Sequence, residues 1–248
     1  MRTLVVTMAG QSSRFKNVGV NEPKWKLLLD GKSILARSLE SVGTWSQQDD
    51  CETIFVCLGQ HDAMAILRAT CDELGIANFR IMELDETPPG QALSAKIAVE
   101  TCDADSPIAI WNVDTEISSQ ALASVPAKGN WLSLAELQGD HWSFASIAEG
   151  LVVETAEKVR ISQWASIGLY GFANKAAYLD SLSDEKVGSA VEQYVAPLYN
   201  SLIRRGAIVM PHYVDTSAVI PLGTPQEVID YCRLTGTSLP SQMSHSMY

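Results

Sequence analysis

The sequence predicts an α/β fold: a doubly wound, mainly parallel sheet in the first half, continued by a mixed-strand extension in the second. Two observations predict it. Up to about residue 111, short apolar β-branched runs alternate with stretches of helical periodicity, the order that gives parallel strands joined by right-handed crossovers. After about residue 130 the strand-like runs crowd together without intervening helices. With 248 residues, 46% of them apolar, the chain can bury one large α/β core and is not a disordered polymer.

The elements follow in order. Residues 3–8 (TLVVTM) read as a strand buried on both faces. Residues 33–42 carry apolar side chains at helical spacing, with Ser33 as the N-cap. Residues 52–58 form a second strand, and 62–74 a helix stopped by Gly75. A strand at 79–84, a helix at 91–99 and a strand at 107–111 complete the first half. Strands are expected at 131–137, 142–148, 151–154 and 165–172, and helices at 173–182, 190–205 and 225–235. We expect one domain over 1–235, in two halves that meet at about residues 117 and 118, and a polar, Ser-rich flexible tail at 236–248.

Composition removes several function classes. The net charge of −11 gives no overall field to attract nucleic acid. No apolar run reaches the roughly 18–20 residues of a membrane span, and the N-terminal apolar run is too short for a signal-peptide core, so a cytoplasmic protein with no membrane partner is expected. Five cysteines without CxxC spacing suggest neither a disulfide framework nor a zinc site. Oligomeric state is left open, a homo-oligomer included.

The chemistry-bearing residues lie at strand ends, where ligands of such sheets bind. The first strand runs into Ala9-Gly10-Gln11-Ser12-Ser13-Arg14: small residues let backbone N–H groups approach an anion, the serines add hydroxyls, and Arg14 adds a charged fork. Taken alone, that stretch reads first as a plain tight turn. Pro23-Lys24 then places a lysine on a stiffened loop, with Lys26 either a further cation or a solvated side chain, and Gly31-Lys32 turns into the next helix.

The pattern AGxxSRF, PK, GKxxL resembles the opening signature of the sugar-phosphate nucleotidyltransferases, nearest the capsule and surface-polysaccharide branch. The resemblance continues through Thr87-Pro88-Pro89-Gly90-Gln91-Ala92, Asn112-Val113-Asp114, Glu157-Lys158 with Ser166 and Gly168 on a following strand, and Glu192. It implies a Rossmann-like sheet of the nucleotide-diphospho-sugar transferase kind. Met8, Ala9, Gly10, Gln11, Ser12 and Ser13 would wrap a nucleoside triphosphate, and Arg14 and Lys24 would meet its phosphates. Gly90 would let the base lie against backbone, with Gln91 and Asn112 beside it. Asp114 would be catalytic and hold Mg²⁺. Glu157, Lys158, Ser166, Gly168 and Glu192 would bind a small phosphorylated acceptor, Gly168 by leaving room for it. The implied reaction joins the triphosphate, CTP favoured by the SSRF loop, to a sugar 1-phosphate and releases pyrophosphate, for surface polysaccharide synthesis.

Two departures stand out. Gln11 replaces a common glycine, and Pro221 stands where the family's D-x-G-T-P segment carries a second metal-binding Asp; Asp215 is the nearest substitute. Two other readings compete. A glycosyltransferase of GT-A type would use Asp114-Thr115-Glu116 as a partial DxD, and a nucleotide-binding module without catalysis would explain Pro221.

Overall fold

The computed structural model describes residues 1–183 and 192–244. In chain order the elements are β1 (Arg2–Thr7), α1 (Ser13–Lys16), β2 (Leu28–Leu29), β3 (Lys32–Ser33), α2 (Ile34–Ser41), α3 (Gly43–Ser46), β4 (Cys51–Leu58), α4 (Met64–Leu74), β5 (Phe79–Leu84) and α5 (Gln91–Val99). Then come β6 (Ile108–Asn112), β7 (Thr115–Ile117), β8 (Asn130–Glu136), β9 (Ser143–Ala148), β10 (Leu151–Glu157), β11 (Trp164–Phe172) and α6 (Lys175–Leu182). The chain closes with α7 (Leu198–Arg204), β12 (Val209–Tyr213), β13 (Val219–Pro221), α8 (Pro225–Thr235) and α9 (Ser241–Ser244).

Among the described residues one nine-stranded sheet runs β10-β9-β11-β6-β1-β4-β5, with β8 also paired to β11 and β12 paired to β8. β6, β1, β4 and β5 are parallel, as the strand–helix alternation requires. β11 runs antiparallel to β6 and marks where the mixed extension begins. β1 is buried on both faces: Leu4 and Val6 enter one core cluster and Val5 the other. That is why its sequence is a continuous apolar run rather than an alternating one.

Local signals work as their chemistry demands. Ser33 Oγ accepts from Ala36 N–H at 3.1 Å and starts α2. Gly75, at φ 69°, ends α4. Thr224 and Glu227 form a reciprocal capping box, with Pro225 at the first turn of α8. α8 and α9 close a third core cluster in which Leu222, Val228 and Met243 pack against Phe15, Leu27 and Ile34. The chain's opening turns are thereby docked on its last helices, which fixes the Pro23-Lys24 loop.

The structure corrects several expected boundaries. The helix expected at 190–205 lies partly outside the described residues, and its described part begins only at Leu198. Residues 192–197 are irregular, with Pro197 preceding the helix. Within the expected loose tail, Met243 is buried. β12 is an addition to the expected strands, because Pro211 lies inside it; it occupies a sheet border, with β8 as its one strand partner among the described residues, where a missing N–H is tolerated. All five cysteines are buried free thiols, in line with the composition. No helix among the described residues is long and apolar enough to cross a membrane.

Candidate active site

Two adjoining cavities, of about 330 and 380 Å³, open at the carboxyl ends of β1 and β6. They share one wall: Lys24, Gln91, Asn112, Asp114 and Glu192 line both.

The 380 Å³ cavity is lined by the loop after β1, Met8 through Ser13, and by Thr87, Pro88, Gly90 and Gln91. Nothing lies within 4 Å of the place where a Cβ on Gly10 would sit, so this face of the loop is bare. The left-handed residue of the loop is Ser12, at φ 53°, rather than Gln11. Gln11 is a tie: its amide donates to Thr87 Oγ1 and accepts from Lys16 Nζ, and Thr87 Oγ1 donates to the Ala9 carbonyl at 3.0 Å. The loop after β1 and the segment before α5 are thus held as one rim.

Gly90 lines this cavity and also meets a structural need. At φ 110°, its bare face lies against the backbone of Gln193, where a Cβ would come within 2.3 Å of main-chain atoms. Two main-chain bonds stitch the two segments of this contact, Gln193 N–H to Pro89 O at 3.0 Å and Ala92 N–H to Gln193 O at 2.9 Å. The Gln91 amide donates to Thr7 Oγ1 at 2.8 Å and to Asn112 Oδ1, so its NH₂ is engaged with the sheet below.

The 330 Å³ cavity brings Arg14, Lys24 and Asp114 together with Glu157, Lys158, Ser166, Gly168 and Glu192. Arg14 makes no hydrogen bond or ion pair with the described residues. Lys24 Nζ is paired with Asp114 Oδ2, both side chains about a fifth exposed. Lys158, itself at φ 56°, donates to the Tyr194 hydroxyl and lies over its ring; that hydroxyl donates to Glu192. Glu157 accepts from Ser143 Oγ, and burial pushes its carboxyl above the usual carboxylate range against the lowering effect of that bond and of Lys158. Burial likewise drives the Tyr170 phenol up to about 12, so it stays a neutral hydroxyl. His141 Nε2 lies 3.2 Å from Glu227 Oε1 across the cavity mouth.

Gly168 departs from expectation. Its φ is 84° and the place a Cβ would take is 2.8 Å from the Asn112 side chain, so the glycine makes room for Asn112 rather than for a ligand alone. Lys26 lies over the Trp25 ring and lines neither cavity, which leaves it out of the site. Asp215 is exposed, bound to Ser217, and also lines neither cavity. Glu116 is paired with Arg37 at 3.2 Å and lines neither cavity, so it does not face the site with Asp114 as a DxD reading of Asp114-Thr115-Glu116 needs.

Sequence reading missed Trp142, Ser143, Tyr194, His141 and Gly223, all on this cavity. Gly223 is the informative one: a Cβ there would stand 2.6 Å from Asp114 Oδ2 and 3.6 Å from Glu227 Oε2. Its place in the LGTP stretch was the only available signal. Among the described residues, no group of three or more His, Cys, Asp or Glu is arranged to hold a metal.

No family model matches the chain, and no curated protein matches it. Solved structures do. The nucleoside-diphosphate-sugar pyrophosphorylase from Vibrio cholerae RC9 is 30% identical, over 93% of this chain and 99% of its own, with a TM-score of 0.83. The inositol-1-phosphate CTP transferase from T. maritima superposes with a TM-score of 0.74 over 92% of this chain and 91% of its own, at 15% identity, a likeness of fold. The extent of the first match, over nearly the whole length of both chains, shows that the chain belongs to the sugar-phosphate nucleotidyltransferases.

Proposed function

We propose that this nucleotidyltransferase joins a nucleoside triphosphate, CTP by preference, to a sugar 1-phosphate in the cytoplasm, and that the product feeds surface polysaccharide synthesis. One observation carries the reading: Arg14, Lys24 and Asp114 line a single cavity, between the rim formed by Met8–Ser13 and Gly90 and the Glu157-Lys158 pair. The division into a nucleotide half to about residue 117 and an acceptor half beyond it belongs to the same proposal.

A phosphate oxygen of the acceptor attacks the α-phosphorus in line. The new O–P bond forms as the bond to the β-phosphate oxygen breaks, and the electron pair leaves with pyrophosphate. The attacking phosphate is already ionised, so no general base is needed. The main-chain donors around Gly10, with Gln11, Ser12 and Ser13, hold the triphosphate. Arg14 and Lys24 stabilise the charge that grows on the α-phosphoryl oxygens and the leaving group, which is the main catalytic contribution in phosphoryl transfer. Lys158 receives the acceptor phosphate, and Glu157 and Glu192 its hydroxyls, with Ser166 alongside.

The residues fit a hard divalent cation through one carboxylate. Asp114 stands at the wall shared by both cavities, Pro221 offers no side-chain oxygen, and the bare face of Gly223 is what lets the Asp114 carboxylate sit there. Mg²⁺ accepts such a site because it draws its other ligands from phosphate and water. When bound, it supplies charge neutralisation of the triphosphate.

The test is a thermal-shift panel of the four common triphosphates with Mg²⁺, followed by pyrophosphate release over a set of sugar 1-phosphates. CTP is expected to give the largest shift, and at least one acceptor to release pyrophosphate. Pro221 favours one other reading, a nucleotide-binding module without turnover. Tight nucleotide binding with no pyrophosphate from any acceptor would support that module and overturn the in-line displacement.

A further inference from the structure

Lys24 N–H opens a one-turn 3₁₀ segment, Lys24–Lys26, and so has no partner within that turn. Pro23, which precedes it, has no N–H and accepts from Lys26 instead. The partner comes from the other loop: Ser12 Oγ accepts from Lys24 N–H at 3.0 Å. Ser12 achieves this in the left-handed region, at φ 53° and ψ 35°, where a residue with a Cβ is strained. Its own carbonyl is occupied by Phe15 N–H and Lys16 N–H at the start of α1, so the hydroxyl alone reaches across. Ser12 therefore lines the triphosphate-side cavity while its side chain faces the lysine turn.

We propose that Ser12 is a positioning residue: its hydroxyl sets the place of Lys24 relative to the main-chain cradle, so that backbone donors and ammonium meet the same phosphates. A glycine would adopt this backbone without strain but would leave Lys24 N–H unheld. The strain at a serine is therefore retained for the contact it makes. The inference rests on the proposed role of Lys24 and deepens it.

Pyrophosphate with Mg²⁺ is the probe, since it is the product whatever the base and acceptor. Calorimetric titration of the full chain is expected to give a dissociation constant that rises about 3- to 10-fold in Ser12→Ala, the range of one neutral hydrogen bond. Ser12→Gly is expected to lose the same factor even though its backbone relaxes and its thermal midpoint does not fall. In a Lys24→Ala background, Ser12→Ala is expected to change affinity by less than about 2-fold, because the hydroxyl then has no ammonium to place. Ser12→Gly binding like the wild type overturns the proposal, as does an equal loss with and without Lys24. A wild-type chain that binds no pyrophosphate overturns the phosphate-site reading itself, and the positioning role with it.

Discussion

Replacing Lys24 by Met tests the reaction centre most sharply, because two effects of opposite sign are expected. Lys24 is the one side-chain partner of Asp114 among the described residues, and the two side chains are 23% and 21% exposed. A charge-assisted hydrogen bond contributes roughly 1.5–3 kcal/mol when dry, and partial hydration moves the pair toward about 1 kcal/mol. For a chain of this length, a loss of about 1 kcal/mol lowers the thermal midpoint by roughly 2–4 °C. The variant therefore folds but melts slightly early, with the Asp114 carboxylate left without a counter-charge. A divalent cation can now take that place without displacing an ammonium. Millimolar Mg²⁺, with no nucleotide, is expected to raise the midpoint of Lys24→Met and to leave the wild type nearly unchanged. Turnover moves the other way: losing one preorganised cation costs on the order of 10²–10³ in rate. Differential scanning fluorimetry with and without Mg²⁺, beside a pyrophosphate-release assay, reads both. Equal Mg²⁺ shifts in the two proteins would show that lysine and metal do not compete for Asp114. Near-normal turnover would remove Lys24 from the chemistry.

Gly90→Ala should fold poorly or part the segment before α5 from Gln193, because its Cβ meets Gln193 main chain at 2.3 Å and its φ of 110° disfavours any side chain; triphosphate affinity measured by calorimetry should fall at least about 10-fold, and wild-type affinity would refute a role for this contact in shaping the cavity. Glu157 is raised chiefly by burial, so its ionised form destabilises the fold as pH rises through its elevated value, while the proposed role toward the acceptor calls for that ionised form. Glu157→Gln should therefore hold its stability better than the wild type above that pH, and should lose the acid limb of the kcat/KM profile for acceptor; an unchanged limb would assign it to another group. Pro221→Asp should tighten Mn²⁺ binding, followed by paramagnetic relaxation, since residue 221 lines the cavity beside Asp114; no change would mean that residue 221 does not face the cation.

The sequence carried what depends on nearest neighbours along the chain. β5, α5 and α8 lie at the expected residues, because each is bounded by its own turn chemistry and needs no partner to be recognised. Arg14, Lys24, Asp114 and Glu157 could be nominated because they fall, in order, within motifs that resemble those of the family; a lone Asp at a strand end would otherwise read as a turn former. Contacts between distant segments were not legible. Gly90 and Gly168 looked like ligand clearances, yet each is small for the sake of another part of the chain, Gln193 in one case and Asn112 in the other. The 192–197 segment reads as helix from its composition, but the main chain of Gln193 within it is committed to Pro89 and Ala92, which no periodicity reveals. β12 was hidden by Pro211, whose strand is acceptable only because nothing among the described residues pairs on its outer side.

The direction of β11 explains why two halves of different rhythm make one site. β6 delivers Asn112 and, just beyond it, Asp114 at its carboxyl end. β11 runs the other way, and its pairing with β6 begins with Leu169 opposite Trp111. The preceding residues of β11, including Ser166 and Gly168, therefore overhang the carboxyl edge instead of continuing the β6 ladder. A shift of register against β8 between Ser166 and Tyr170 accompanies the left-handed Gly168, and the bend seats that glycine on Asn112. A parallel strand at this position would have carried the same residues to the opposite end of the sheet. The antiparallel return places the residues proposed for the acceptor directly above those proposed for the triphosphate, and the side chains common to both cavities are the seam.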